Sequence, residues 1–322
     1  MNGEPILILA DPNGKAYNFA KTIYEKLNSN EKRDRVYQFG DVNIKKFNNG
    51  EIFSEIKANV RKKTCFYIHD STMDPQDWAM SLAITNDALM RSSAGKINNI
   101  LPSINYSRQD RMASPRTPIT ASVLANMIQQ NAYRVITTDI HNPAIQGSYQ
   151  IPFDNLKAYP VIINHLKKNH PEFLENAVLV APDIGSAKKV EGYVRRLGLD
   201  VAIADKKRTK AGEVDSMTMI GNVEGKNVII VDDMIDTGGT LLKAVETVKE
   251  KGARKIFVCA THGIFSNNAR EKFENSQIEK VIVTDSIPQE SRGKIEVISL
   301  TNLFADAIFR ISHGQSISEM FE

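Results

Sequence analysis

The rhythm of the chain limits its architecture more than any single motif does. Short apolar, β-branched runs at 6–10, 36–39, 64–69, 99–104, 134–138, 177–180, 201–204, 227–231, 255–260 and 280–283 read as strands. Helix-like stretches at 17–27, 77–91, 120–130, 186–197, 240–251 and 303–312 fall between them. Strands that alternate with helices build parallel sheets covered on both faces, and ligands bind at the carboxyl ends of those strands. The best break lies near Ile151-Pro152-Phe153-Asp154-Asn155, where a proline-containing segment precedes a fresh βα series. The expected fold class is therefore α/β, in two domains, 1–155 and 156–322, each a mainly parallel sheet flanked by helices. At 322 residues, both halves are long enough to bury a core of their own.

Composition narrows the partners. Lys and Arg number 41 against 38 Asp and Glu, too even a balance for nucleic acid or an anionic membrane to be the main partner. The apolar run at 6–10 is too short for a signal core and lacks a basic leader, and no apolar span approaches about 20 residues. A soluble, cytoplasmic protein is expected. Cys65 and Cys259 sit in apolar strand-like runs, with no cysteine or histidine at metal-ligand spacing, and read as buried reduced thiols.

The most informative segment is 227–242, Asn-Val-Ile-Ile-Val-Asp-Asp-Met-Ile-Asp-Thr-Gly-Gly-Thr-Leu-Leu. A buried strand ends in Asp232 and Asp233, turns through Asp236, Thr237, Gly238 and Gly239, and enters a helix at Thr240. The glycines let backbone approach a ligand, and the two threonines add hydroxyl donors at a helix start that attracts anions. Carboxylates repel a phosphate, so Asp232 and Asp233 suit hydroxyls or a cation. A sugar phosphate satisfies both halves of the motif, whereas the plain alternative is a capped strand-turn-helix. The segment is neither a Walker loop nor a Rossmann fingerprint. It resembles the phosphoribosyl pyrophosphate loop of the type I phosphoribosyltransferase superfamily, which implies that fold in both domains.

Further motifs choose between making that pyrophosphate and consuming it. Tyr106-Ser107-Arg108-Gln109-Asp110-Arg111 precedes Thr120, a candidate helix cap; Asp139-Ile140-His141 follows a strand, with the two outer residues expected on one side of it; and Phe47-Asn48-Asn49-Gly50-Glu51 stands upstream. Asp183, after the run 177–180, suits magnesium or ribose hydroxyls, and equally a helix N-cap. Lys188, Lys189, Arg195 and Arg196 read mainly as a solvated helix face. Lys206 and Arg208, two apart on a cationic, glycine-containing loop, can reach one anion, although such a cluster alone reads as a solubilising turn.

In this order the motifs closely resemble the ribose-phosphate diphosphokinases, from about Phe47 to Ser318. The resemblance implies transfer of the β,γ-diphosphate of Mg-ATP to ribose 5-phosphate. It implies Mg2+ as cofactor, held by Asp139, His141 and Asp183, with Lys206, Arg208 and His141 catalytic. Arg108, Gln109 and His141 would bind ATP, with Phe47, Asn49 and Glu51 completing the adenine pocket from a neighbouring subunit of a dimer-built homo-oligomer, up to a hexamer. Arg208, Asp232, Asp233, Asp236, Thr237, Gly238, Gly239 and Thr240 would bind ribose 5-phosphate. Asn59, Met112, Pro143 and Gln150 depart from the family pattern near its regulatory phosphate site. The rival readings are a phosphoribosyltransferase, which has no need of Arg108-Gln109 and His141, an inactive regulatory homologue, which would have lost Lys206 or Asp232, and a sugar-phosphate-binding module, which would not need the cationic loop.

Overall fold

The computed structural model describes residues 5–29, 35–207 and 216–321. The chain divides into two compact units, Met1–Lys157 with Ser286–Pro288 and Leu300–Glu322, and Ala158–Asp285 with Gln289–Ser299. The first sheet contains β1 (Ile6–Ala10), β2 (Tyr37–Lys46), β3 (Ile52–Ile56), β4 (Thr64–Ile68), β5 (Lys96–Leu101), β6 (Arg134–Thr138) and β7 (Phe153–Leu156), in the order β3-β2-β1-β4-β5-β6-β7. The second contains β8 (Ala177–Ala181), β9 (Asp200–Lys207), β10 (Ser216–Ile220), β11 (Asn227–Ile235), β12 (Ile256–Gly263), β13 (Lys280–Thr284) and β14 (Ile295–Ile298), in the order β10-β9-β8-β11-β12-β13-β14. The two orders are the same once the numbering is shifted. In each, one hairpin pair is antiparallel, β2 with β3 and β9 with β10, and the remaining neighbours run parallel.

Strands buried on both faces carry continuous apolar runs, and β1 and β8 are buried at every position. The helices are α1 (Tyr17–Ser29), α2 (Pro75–Arg91), α3 (Thr120–Ile128), α4 (Tyr159–Asn169), α5 (Pro171–Leu174), α6 (Ala187–Leu197), α7 (Gly239–Glu250), α8 (Ala269–Glu274) and α9 (Thr301–Ser312). In α1 the buried residues are Phe19, Ala20, Ile23 and Leu27, one stripe of a 3.6-residue period. α9 lies against α1, with Phe19 and Phe304 meeting edge to face at 5.7 Å between centroids. Among the described residues no helix is long and apolar enough to cross a membrane.

Sequence periodicity misses β3, β7, β10 and β14, which are the four edges of the two sheets. An edge strand is short and only partly covered, so it lacks a long apolar run. β7 begins directly after Pro152, inside the segment expected to mark the domain break; its Asp154 pairs with Arg134 of β6, and the register sets Ile136 opposite Asp154. Proline just ahead of an edge strand removes no ladder bond. The first compact unit accordingly runs on to Lys157, and α9 sits in that unit although the expected second domain, 156–322, includes it.

Candidate active site

Both sheets reverse their winding between corresponding strands, β1 and β4 in the first, β8 and β11 in the second. A crevice opens past the carboxyl ends at such a switch point. In the second unit β11 carries Asp232, half-buried, and Asp233, buried, at its end, and the turn Asp236-Thr237-Gly238 leads into α7. Gly238 is left-handed, with φ +76°, and a Cβ there would come within 2.3 Å of Phe273, a fully buried ring. Only glycine fits that position. Gly239 is different: a Cβ on it meets nothing within 4 Å, so the outer side of the turn is open. No side chain caps α7, and Thr240 is its second residue. Uncapped first-turn N–H groups favour an anion, and the helix dipole adds up to ~2 kcal/mol for a partly buried one.

The charge balance involves a residue that sequence reasoning assigned to a solvated face. Lys189 of α6 reaches across the crevice, its Nζ 2.9 Å from Asp232 Oδ1 and 2.7 Å from Asp233 Oδ1. Lys188, one residue earlier, is exposed as expected. One residue along a helix turns the side chain by about 100°, so adjacent lysines face different surroundings. Burial lifts the Asp232 carboxyl above its ordinary 3.8, to about 6; the Lys189 ammonium opposes the rise and the Asp233 carboxylate adds to it. For Lys189, burial alone would lower the pKa, but the two carboxylates outweigh it and the value rises. Asp183 takes the capping role: its Oδ1 accepts the Ser186 N–H at 2.8 Å, closing the turn Ile184–Ser186 that leads into α6. The backbone of Lys206 lies in β9, paired with Met217 of β10, and its side chain is outside the description; Arg208 lies outside the described residues.

In the first unit, Arg108 and Gln109 are exposed in the loop after β5. Gln109 is anchored twice: its carbonyl accepts the Ala121 N–H at 3.1 Å, and its Oε1 accepts the Thr120 hydroxyl at 2.6 Å. Thr120 is the first residue of α3, one past the cap position at Ile119, and no side chain caps that helix. Asn142 Nδ2 donates to Asp110 Oδ2 at 2.6 Å and so ties this loop to the one holding Asp139 and His141. Asp139 has φ +36° and comes just after the last residue of β6. Strand alternation stops there, so the i, i+2 argument for Asp139 and His141 does not carry; a turn, stitched by Asp139 N–H to Leu156 O and Ile140 N–H to Asn155 Oδ1, sets their directions instead. Lys157 Nζ lies 3.8 Å from Asp139 Oδ1.

Phe47, Asn49 and Glu51 are exposed at the tip of the β2–β3 hairpin. Bonds from Phe47 N–H to Glu51 O and from Glu51 N–H to Asn49 Oδ1 close the tip. β1 and β4 separate β2 from β5, about 14 Å at strand spacing. At the first unit's own switch point lies a cavity of about 270 Å³, lined by Asp11, Asn13, Gly14, Tyr67 and Asp70 among others. None of the sequence-selected residues lines it. There Asp70 accepts the Lys15 N–H at 2.6 Å on Oδ2, and on Oδ1 the Thr72 N–H and hydroxyl at 2.9 and 2.8 Å. A carboxylate satisfied by the chain thus stands where the second unit has its open glycine turn.

The donors expected to hold a metal suit a hard divalent cation in chemistry: Asp139 and Asp183 supply oxygens, His141 a nitrogen, and each is half-buried past a strand end. Asp139 and His141 belong to the first unit and Asp183 to the second.

Two mainly parallel seven-stranded units flanked by helices, one with an acidic strand end and a glycine-led helix start, define a two-unit α/β enzyme. The chain is 43% identical over 283 residues to the ribose-phosphate pyrophosphokinase of Campylobacter jejuni, covering 87% of this chain and 91% of that one, and 42% identical over 296 residues to that of Vibrio cholerae, covering 89% and 93%. It belongs to the ribose-phosphate pyrophosphokinase family. Residues 13–131 match the model for the N-terminal domain of ribose phosphate pyrophosphokinase, and 207–322 the phosphoribosyl synthetase-associated domain. A solved phosphoribosylpyrophosphate synthetase from Mycobacterium smegmatis is 30% identical and superposes with a TM-score of 0.85, over 98% of this chain and 100% of that one.

Proposed function

We infer that the chain is a ribose-phosphate diphosphokinase, transferring the β,γ-diphosphate of ATP to the C1 hydroxyl of ribose 5-phosphate to give 5-phosphoribosyl 1-pyrophosphate and AMP. One observation carries this reading in the molecule itself: the open, uncapped turn at Gly239 beside two carboxylates that already gather a cation. The 5-phosphate sits on the amides of 236–240, with Thr237 and Thr240 adding hydroxyl donors. The ribose hydroxyls displace Lys189 from Asp232 and Asp233 and donate to the carboxylates. The C1 hydroxyl oxygen attacks the β-phosphorus in line; as that O–P bond forms, the bond from the β-phosphorus to the α,β-bridging oxygen breaks, AMP leaves with that oxygen, and the hydroxyl proton passes to water.

Phosphoryl chemistry of this kind rests on position and charge. Lys206 and Arg208 hold the transferring diphosphate, with Arg208 also on the sugar phosphate, while Arg108, Gln109 and His141 hold the nucleotide. We assign the cofactor as Mg2+, with Asp139, His141 and Asp183 as its protein ligands; when bound it neutralises the polyphosphate. The exposed tip bearing Phe47, Asn49 and Glu51 serves the adenine pocket of a second copy, since about 14 Å of sheet separates it from the chain's own Arg108 loop. That requirement makes the enzyme a homo-oligomer. The buried free thiols of Cys65 and Cys259 suit the reducing cytoplasm, where we place it.

Purified protein, ATP, Mg2+ and ribose 5-phosphate test the assignment. AMP is expected only when the pentose phosphate is present, mole for mole with 5-phosphoribosyl 1-pyrophosphate. AMP formation without the pentose, or pyrophosphate release from added 5-phosphoribosyl 1-pyrophosphate and a nucleobase, refutes it.

A further inference from the structure

The second unit holds a histidine pair that the transfer reaction does not use. His165 lies on α4, His170 at its C-terminal cap, and Glu296 on the edge strand β14. His165 Nε2 is 2.9 Å from Glu296 Oε1, and His170 Nε2 is 3.1 Å from Glu296 Oε2. One donor atom from each residue falls within 4.8 Å of the other two. Ligand atoms around a tetrahedral zinc, at 2.0–2.1 Å from the metal, lie roughly 3.3 Å apart. Each histidine nitrogen already stands near that distance from one of the two Glu296 oxygens.

We propose that His165, His170 and Glu296 form a site for one divalent cation of the zinc class, with Asn169 orienting His165 from behind. Imidazole nitrogens prefer zinc, cobalt or nickel, whereas magnesium prefers oxygen, so this site is chemically distinct from that of the catalytic cation.

Two observations favour a cation over a simple hydrogen-bonded clamp. His165 Nε2 is buried and close to the carboxylate, yet no hydrogen bond aligns it with any partner. His170 is held edge-on against Phe257, at 5.1 Å and 88°, so its ring is set before any ligand arrives.

The outer contact is also present. Asn169 lies one turn beyond His165, and its Nδ2 is 2.8 Å from His165 Nδ1. With the amide turned so that Oδ1 accepts from Nδ1–H, Nε2 presents its lone pair to the metal, the usual arrangement of a ligating histidine. The three side chains are 16%, 19% and 27% exposed, which leaves an entry path. A two-histidine, one-carboxylate set leaves one position for water. The bound ion would pin the end of α4 to β14, an edge strand that otherwise has one neighbour.

The test uses the full chain, stripped with chelator and returned to excess Mg2+, then titrated with Co2+ while the visible spectrum is followed. One equivalent of Co2+ per chain is expected to give d–d bands, discharged by one equivalent of Zn2+. Glu296→Gln and His170→Gln should weaken Co2+ binding by at least ~100-fold, and Asn169→Ala by about 10-fold. Their Mg2+-dependent turnover should be unchanged, which shows that they fold. His141→Ala should keep the bands. Absence of bands in the wild-type chain, or bands that survive in the His165→Gln/His170→Gln double variant, overturns the proposal and leaves a hydrogen-bonded clamp.

Discussion

Gly238→Ala is the sharpest perturbation of the second unit. Two effects add. An alanine at φ +76° takes on the left-handed penalty, about 1–2 kcal/mol for a residue with a Cβ. The new Cβ also lands 2.3 Å from Cε2 of Phe273, whose ring is fully buried and cannot swing into solvent. Overpacking of that kind costs a further ~1–3 kcal/mol. At least ~2 kcal/mol should therefore be lost, and at about 1.4 kcal/mol per tenfold change that is roughly a 30-fold drop in protection. Hydrogen exchange is the right assay, because a chain with two compact units need not unfold in one step, and the single tryptophan, Trp78, reports on the first unit. Amides of β11 and α7 should exchange at least ~30-fold faster while those of β1 and β4 stay unchanged. Gly239→Val is the matched control: nothing lies within 4 Å of its Cβ, so protection should hold while affinity for ribose 5-phosphate collapses. Unchanged protection in Gly238→Ala, or unchanged affinity in Gly239→Val, refutes the reading of this turn.

Other outcomes follow from the same geometry. Lys206→Ala or Arg208→Ala should lose at least ~10² in turnover while both substrates still bind, by analogy with arginine fingers; near-normal turnover would remove the pair from the mechanism. Because the folded pKa of Asp232, about 6, exceeds its ordinary 3.8, its favourable contribution is complete below pH 3.8 and is lost as pH rises through 6. Asp232→Asn should therefore flatten the fall in stability between pH 4 and pH 6, followed by thermal unfolding; an unchanged slope contradicts the shift. Lys189→Met leaves two carboxylates without their cation, and should lower the unfolding midpoint in a way that Asp232→Asn partly rescues. Equal losses with and without the second substitution would show that the pair is not coupled.

Residue types that admit one backbone solution were legible in sequence. The turn at 236–240 is one, since a left-handed residue packed on an aromatic ring must be glycine, and the apolar runs of central strands are another. What depends on distant neighbours was not. Lys189 looks like any surface lysine until β11 brings Asp232, 43 residues away in sequence, within 2.9 Å. Thr120 has the right identity for a cap, but it is the first residue of α3, one past the cap position held by Ile119, and its hydroxyl donates to Gln109. β7 hides behind Pro152 because an edge strand needs so little apolar sequence. Asp139 follows directly on β6, but its φ of +36° ends the strand one residue too soon for the strand rule to hold.

The seating of α9 has a consequence for how the polypeptide is made. The first unit is drawn from both ends of the sequence, so its face at Phe19 waits for Phe304 while the whole intervening unit is synthesised. At 5–20 residues per second the ribosome needs roughly 7 to 30 s to travel from residue 157 to residue 301. During that interval the N-terminal part displays greasy surface that a chaperone can hold, whereas the later part can close as soon as it emerges. A chain cut before Thr301 would therefore damage the portion farthest from the cut in sequence, and leave its nearer neighbour whole.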